Sequence, residues 1–241
     1  MGLAEQVLGR VVGWNNDQVR RHAHDRFEAN PRPLAGVAWN QRLEAAFPAI
    51  RAEWDAFVDA DGRLPRIEDV IAEDQGNEGP WRAGLLVSRG RPATELAALF
   101  PRTIAALTSV PGLYSALWSV LEPGSRIPDH VGPNAGMLRY HLGVDCPPGA
   151  FLEVEGHVVP YNEGVGILFD DTAVHSARND GDRPRITLFC ELIRPVDGPG
   201  RFANQGVQHL ISLDPRYRRA VARADEWFEV LRRPGSTRPP G

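Results

Sequence analysis

Five short runs of apolar or alternating residues fill the second half of this chain and constrain its fold more than any other feature. The runs are "YSALWSVLEPG", "GMLRYHLGV", "AFLEVEGHVV", "GVGILFDD" and "RITLFCELIRP", separated by Gly, Pro, Asp and Asn. Short strands at this spacing predict an all-β sandwich or barrel. The Glu-Gly pair at the centre of the third run predicts a hairpin.

Helical patterns flank these strands on both sides. "NQRLEAAFPAIRAEWDAFVDADG" has helical apolar spacing, and "ATELAALFPRTIAALTSVPG" predicts a helix interrupted near Pro101. After Pro195 the chain has the character of a loop, until Asp214 and Pro215 start a helix as N-cap and first helical residue. We therefore expect a helical and loop region over 1–112 packing on a β core over 113–198. Residues 199–241 are expected to form a loop, a helix and a disordered tail.

Composition narrows the class of protein. A chain of 241 residues is long enough for one large domain with a sizeable core. Its net charge of −4 argues against a nucleic-acid polymer as partner. No apolar run approaches the roughly 18 residues of a membrane span, so no membrane partner is expected. Two cysteines make no disulfide framework, which favours the cytoplasm.

One face of the second run carries polar groups. Strand alternation puts Arg139 and His141 on the face opposite Leu138, Tyr140 and Leu142. A buried arginine without a partner is costly, so this face is expected to line a polar cavity. The alternative is that Arg139 pairs with a buried carboxylate and holds the sheet together.

Two further histidines stand at strand ends. His130 lies in "RIPDHVGPNAG", and His175 follows the strand that ends at Phe169. Arg185 comes ten residues after His175 and opens the next strand. A single histidine in a turn is more often a surface residue than a ligand, but this combination favours a site.

These motifs resemble the aspartyl/asparaginyl β-hydroxylase family of iron(II)- and 2-oxoglutarate-dependent oxygenases. The resemblance rests on "SVLEPGSRIPDHVGPNAGMLRYHLGV" followed by "ILFDDTAVHSARNDGDRPRITLF". The flanks "GMLRYHLGV" and "LFCELIRP" are more similar to the lipid A 2-hydroxylase branch. The resemblance implies a double-stranded β-helix core, which is a jelly roll like that of cupins. It also implies Fe(II), 2-oxoglutarate and O2 as cofactors.

The resemblance assigns roles by position. His130 and His175 match the iron-binding histidines, and Arg185 matches the arginine that pairs with the distal carboxylate of 2-oxoglutarate. A guanidinium suits that task because it donates paired hydrogen bonds to a carboxylate. Asp170 and Asp171 are interpreted as turn or supporting residues rather than ligands. The other positions that match the cosubstrate pocket are Ser119, Arg139 and His141, to which Thr187 adds a hydroxyl.

Gly132 stands where this branch often has an aspartate ligand. The usual iron site has two histidines and one carboxylate, and glycine offers no ligand. Water fills the open position in the animal hydroxylases, whereas chloride fills it in halogenases of other subfamilies. Asp129 is disfavoured as a replacement because strand alternation points it away from His130. A degenerate iron site is the remaining alternative.

The sequence favours hydroxylation of an unactivated C–H bond, with succinate and CO2 released. Chlorination of a nucleotide, amino acid or natural-product intermediate, with chloride on iron beside Gly132, is the second hypothesis. A third hypothesis is a non-catalytic jelly-roll binding protein, which would have no need of Arg185.

The expected substrate is a small soluble molecule. The Gly-rich segment 72–92, with Trp81 and Arg82, is a weak candidate for a substrate lid. The arginines of the C-terminal helix predict either a solvated face or a homodimer contact around Trp227 and Phe228.

Overall fold

A computed structural model describes residues 3–23, 29–71 and 76–231. The predicted tail from residue 234 and positions 72–75 of the candidate lid lie outside these ranges. In the described ranges, no helix combines the length and the apolar character needed to cross a bilayer.

The described residues form ten strands and seven α-helices. The strands are β1 (Trp81–Ser88), β2 (Arg91–Pro92), β3 (Leu113–Leu121), β4 (Arg126–His130), β5 (Met137–Asp145), β6 (Ala150–Val154), β7 (His157–Pro160), β8 (Gly166–Phe169), β9 (His175–Asn179) and β10 (Arg185–Ile193). The α-helices are α1 (Leu3–His22), α2 (Ala38–Ala45), α3 (Phe47–Asp59), α4 (Ile67–Val70), α5 (Pro101–Leu107), α6 (Gly198–Leu213) and α7 (Pro215–Leu231), with a 3-10 turn at Glu95–Leu99.

The strands form two antiparallel sheets. The large sheet has the order β2-β1-β3-β10-β5-β8, and the small sheet has the order β4-β9-β6-β7. From β3 to β10 the chain alternates between the sheets except at the β6–β7 hairpin, in the manner of a double-stranded β-helix, which confirms the jelly-roll prediction. The predicted Glu-Gly hairpin is β6–β7, where Glu155 and Gly156 have φ values of 51° and 78°.

Strands β1 and β2 extend the large sheet beyond the predicted core. β1 pairs with β3 along most of its length, so the sheet begins at residue 81 rather than at 113. The chain before β1 still packs on the core as helices. The boundary expected at 113 therefore separates two strands from the sheet to which they belong.

The main apolar core lies outside the jelly roll. Trp118, Leu142 and Leu188 point from the outer face of the large sheet into a layer formed by helices α2, α3 and α5. The rings of Trp54 and Trp118 are 4.9 Å apart, centroid to centroid. Because this outer layer supplies most of the apolar burial, the inner face of the sheet is free to carry polar groups.

Helix α3 is tied to α5 by a carboxylate as well as by packing. The side chain of Glu53 accepts hydrogen bonds from the backbone N–H groups of Arg102 and Thr103, at 2.7 and 2.8 Å. These amides belong to the first turn of α5, where N–H groups have no partner within the helix.

Two helical expectations need correction, and a third is confirmed. The helix expected from residue 40 is divided into α2 and α3, because Pro48 favours a new first turn over continuation. The loop expected after Pro195 is helix α6, despite its three glycines and a proline, because one face packs on α1 and the core. Helix α7 forms as predicted, and the Asp214 side chain accepts the Arg216 N–H at 2.7 Å.

The proposed dimer contact is also corrected. Trp227 and Phe228 are buried within their own chain, and Trp227 Nε1 donates to the Asp69 carbonyl at 3.1 Å. They are therefore not available to a second copy. The arginines of α7 face solvent, as the other interpretation predicted: Arg216, Arg218, Arg219 and Arg223.

Replacing Phe57 by Ala tests the outer layer. Phe57 is 7% exposed and contacts Phe100 with ring centroids 5.4 Å apart. We expect F57A to lower the free energy of unfolding by about 3–5 kcal/mol, because a buried aromatic leaves a cavity. The neighbouring Val58 is 50% exposed, so V58A should change the free energy of unfolding by less than about 0.5 kcal/mol. Equilibrium urea unfolding measures both, and equal effects would contradict this placement of the core.

Candidate active site

The two predicted iron ligands come together across two strands. His130 ends β4 and His175 begins β9, and the register pairs them directly. Their ring centroids are 4.0 Å apart. Residues 45 positions apart in the sequence thus place two imidazoles side by side, as a site with two histidine ligands requires.

Backbone carbonyls fix the tautomer of both rings. Nδ1 of His130 lies 2.9 Å from the Pro128 carbonyl oxygen, and Nδ1 of His175 lies 2.9 Å from that of Ala173. A carbonyl only accepts, so each Nδ1 carries a proton, and the tautomer of a neutral ring is the one with its lone pair on Nε2. Burial also lowers the pKa of His175 to about 4, which keeps that imidazole neutral. Both rings therefore suit metal coordination through Nε2.

The space beside Gly132 belongs to Asp171. A Cβ atom built on Gly132 would overlap the Asp171 carboxylate, and the Gly132 N–H donates to the Asp171 carbonyl at 2.6 Å. Arg139 Nε donates to Asp171 Oδ2 at 2.9 Å. Asp171 Oδ1 is buried without a hydrogen-bond partner among the described residues. The glycine thus makes room for a carboxylate that comes from another strand end.

Arg139 takes the structural role that was the alternative expectation. Besides Asp171, its guanidinium pairs with Glu191, whose carboxylate also accepts from Ser115 Oγ at 2.5 Å. Burial raises the pKa of Asp171, and the positive charge of Arg139 opposes that rise. Arg139 therefore lies in the predicted polar interior, and two carboxylates already balance its charge.

Arg185, unlike Arg139, has no carboxylate partner among the described residues. It is 2% exposed and opens β10, as predicted, with Nη1 donating to Thr187 Oγ1 at 3.1 Å. Its guanidinium carbon lies 4.9 Å from the centre of the Tyr161 ring. Among the described residues no carboxylate lies within ion-pair distance, and Nε has no hydrogen-bond partner. A buried cation in this state calls for an anion from outside the chain.

Ser119 and Trp81 line the same inner face. Ser119 is directly opposite Thr187 in the register of β3 and β10, and the indole Nε1 of Trp81 donates to Ser119 Oγ at 2.9 Å. Trp81 is thus a strand residue of the cavity wall, and the lid interpretation is wrong for it. Arg82 points the other way, where it binds Glu122 and the Leu64 carbonyl, both at 3.1 Å.

His141 is buried among the rings of Tyr161, Phe169 and Phe189. Its Nδ1 is 2.9 Å from the hydroxyl of Tyr161, and its Nε2 is buried without a partner among the described residues. Burial lowers the pKa of His141 well below its ordinary value, and Arg185 lowers it further. The imidazole is neutral at physiological pH and offers Nε2 to the cavity.

Sequence reasoning missed two members of this site: Tyr161 joins His141 to Arg185, and Glu191 balances Arg139. Asp171, expected as a turn or supporting residue, fills the space at Gly132. Only the alternation along β10, which places residues 185, 187, 189 and 191 on one face, pointed to Glu191 in advance. Asp170 is a turn residue, as expected: it caps Thr172 and pairs with Arg194.

The residues present fit a metal held by two histidines. In the described ranges, no group of three His, Cys, Asp or Glu side chains converges as a metal site. Two imidazoles with Nδ1 engaged by backbone carbonyls, together with a buried guanidinium that has no carboxylate partner among the described residues, are compatible with a small dicarboxylic acid as an additional chelator. Such an acid would supply the anion that Arg185 lacks.

Comparison with known proteins agrees with the family resemblance of the motifs. A family model described as Aspartyl/Asparaginyl beta-hydroxylase matches residues 44–195. An ornithine lipid ester-linked acyl 2-hydroxylase from Rhizobium tropici is 31% identical over 198 residues, covering 80% of this chain and 70% of that protein. An aspartate beta-hydroxylase domain-containing protein 2 from Rattus norvegicus is 32% identical over 164 residues, covering 64% of this chain and 47% of that protein.

The chain thus spans about half the length of the rat relative. Among solved structures, a Cupin_2 domain of an XRE family transcriptional regulator from Enterobacter cloacae overlaps with a TM-score of 0.34 and 14% identity. The aligned region covers 48% of this chain and 98% of that domain. The relatives named as hydroxylases and the match over residues 44–195 define the family. The chain belongs to the aspartyl/asparaginyl beta-hydroxylase family.

Proposed function

We propose that this chain is an Fe(II)- and 2-oxoglutarate-dependent hydroxylase. One observation carries the proposal: a protein with a pair of adjacent histidines also holds a buried arginine without a carboxylate partner among the described residues. Iron bound there would use O2 and 2-oxoglutarate to place one oxygen atom in a substrate C–H bond, and the other in succinate with loss of CO2.

The histidines would bind the metal, and Arg185 would bind the cosubstrate. His130 and His175 would hold iron through Nε2, since their Nδ1 atoms are engaged by backbone carbonyls. Arg185 and the hydroxyl of Thr187 would receive the distal carboxylate of 2-oxoglutarate. Tyr161 packs on the guanidinium and keeps water from it, which strengthens the charge pairing in the interior.

Asp171 favours hydroxylation over halogenation. Its carboxylate occupies the space that a side chain at position 132 would take. In a chloride site this space would have to accept an anion, and a buried carboxylate repels a second anion at short range. Asp171 Oδ1 can instead accept a hydrogen bond from water. The same overlap means that G132D would first have to displace Asp171.

An apolar rim favours an aliphatic substrate. Val131 and Val174 are 56% and 52% exposed, and the pairing of His130 with His175 brings them next to each other at the strand ends. The relative from Rhizobium tropici is named as an acyl 2-hydroxylase of ornithine lipid. We therefore propose an acyl chain as the substrate, in place of the small soluble metabolite expected from the sequence.

Removing either histidine should abolish binding of Fe(II) and activity. Each imidazole supplies one of two protein ligands, so neither H130A nor H175A retains a chelating pair. The measurement is the weak visible absorption band that forms anaerobically with Fe(II) and 2-oxoglutarate. H157A is the control, because His157 is exposed on β7. A full band in either test variant would contradict the assignment.

Replacing Arg185 by Gln should raise the KM for 2-oxoglutarate by ~30-fold or more. Loss of a charge-assisted hydrogen-bonded pair costs about 2 kcal/mol or more, and 1.4 kcal/mol is a factor of ten. The KM for the acyl substrate should change far less. R218Q, at an exposed position on α7, is the matched control. Equal changes in both KM values would argue against a cosubstrate role.

Product analysis separates the candidate functions. The protein is incubated with Fe(II), 2-oxoglutarate and a detergent-solubilised lipid bearing an ester-linked acyl chain, with and without chloride. We expect a product heavier by one oxygen atom in both cases, with succinate formed in equal amount. A chlorinated product would support halogenation, and absence of succinate with every substrate would support a binding protein. Turnover of polar metabolites alone would contradict the acyl proposal.

A further inference from the structure

Exposed apolar side chains are concentrated on one helix pair. Eleven large apolar side chains are exposed in the part of the chain that the structure describes, and five of them lie on α1 and α6. Two more are the rim residues beside the histidines. The five are Val7 and Trp14, each 53% exposed, Phe202 at 76%, Leu210 at 48% and Leu213 at 40%.

On each helix these residues share a face. Val7 and Trp14 are seven positions apart, and Phe202, Leu210 and Leu213 are spaced by eight and three, which are all intervals of one helical face. The opposite sides of the two helices pack on the protein. Asn15 donates to Asn204 Oδ1 at 3.1 Å, and both residues are buried. The apolar faces are therefore the outward sides of a docked pair.

Positive charge accompanies the apolar face of α1. Arg10 precedes Trp14 by four residues and Arg21 follows it by seven, so both lie on the Trp14 side of the helix. Both are exposed. Helices α1 and α6 together contain four arginines and two acidic residues, whereas the whole chain has a net charge of −4. This charge is complementary to anionic phosphate headgroups.

The helix pair also holds the segment that follows the first iron ligand. Asn16 Nδ2 donates to the Pro133 carbonyl at 2.9 Å, and Asn16 Oδ1 accepts the Ala135 N–H at 2.8 Å. From the other helix, Asn204 Nδ2 donates to the Gly136 carbonyl at 3.0 Å. A surface bound by α1 and α6 would thus be fixed relative to His130 by the loop 131–136.

We propose that the outward faces of α1 and α6 bind the surface of an anionic phospholipid bilayer. A helix with an apolar stripe, an interfacial Trp and flanking arginines lies in the headgroup region with its apolar side inserted. Bilayer binding is argued from these helices alone. Its role, to bring an acyl chain to the histidines, rests on the proposed function. The expectation of no membrane partner rested on the lack of a spanning segment, which binding to a bilayer surface does not need.

Vesicle sedimentation tests the proposal with the full chain. We expect the protein to sediment with vesicles of phosphatidylglycerol and phosphatidylcholine, and much less with pure phosphatidylcholine. The double variant Trp14→Ser/Phe202→Ser should lose affinity by about tenfold or more, because two aromatic side chains no longer enter the interface. Arg10→Gln/Arg21→Gln should weaken binding to anionic vesicles only. The matched control is Val58→Ser/Leu99→Ser, at positions 50% and 48% exposed elsewhere on the protein.

Several outcomes would overturn the proposal: no sedimentation of the unaltered chain, equal loss in the control, or equal binding to neutral vesicles. Thermal unfolding of each variant verifies that it folds. A dimer in size-exclusion chromatography that the Trp14/Phe202 variant dissociates would make these faces a contact between two copies instead. Because sedimentation needs neither iron nor turnover, bilayer binding without hydroxylation would refute the proposed function and leave this inference standing.

Discussion

Packing of the large sheet against its helices is the constraint on which the rest of the structure depends. Trp118, Leu142 and Leu188 bury the outer face of the sheet against α2, α3 and α5. In a jelly roll with an apolar interior, this stabilising burial would instead lie between the two sheets. Because the apolar layer is outside, the interior is able to hold charged and hydrogen-bonding groups that would otherwise destabilise the fold.

The interior divides its charges into two environments. Around Arg139, the carboxylates of Asp171 and Glu191 complete a network that fixes the cavity wall. Around Arg185, the chain provides a hydroxyl and an aromatic ring but no carboxylate within the described residues. Two arginines on one inner surface thus have opposite functions, one structural and one suited to an incoming anion. Gly132 belongs to the first environment, since its missing side chain leaves the room that Asp171 takes.

The predictions that held were local or periodic. Alternation along β5 correctly separated Arg139 and His141 from Tyr140 and Leu142, and the Glu-Gly pair correctly predicted the β6–β7 hairpin. The predictions that failed concerned segments whose structure depends on the part of the protein against which they pack. Helix α6 was missed because packing on α1 overrides its poor helical composition. The dimer contact around Trp227 was one of two interpretations of α7, and no local pattern shows that Val70 and Ala224 bury this residue within the chain.

The sequence by itself determined the alternation along the strands that it identified, the strand-end positions of His130, His175 and Arg185, and the family. These follow from short-range spacing, which the pleat of a strand and the geometry of a turn translate directly into structure. Only the tertiary structure decided which charges meet. Arg139 finds Asp171 and Glu191 across strands, whereas Arg185 finds no carboxylate among the described residues. Which charges meet depends on which distant strands become neighbours: Arg139 reaches Glu191 because β5 and β10, far apart in the sequence, pair in the sheet.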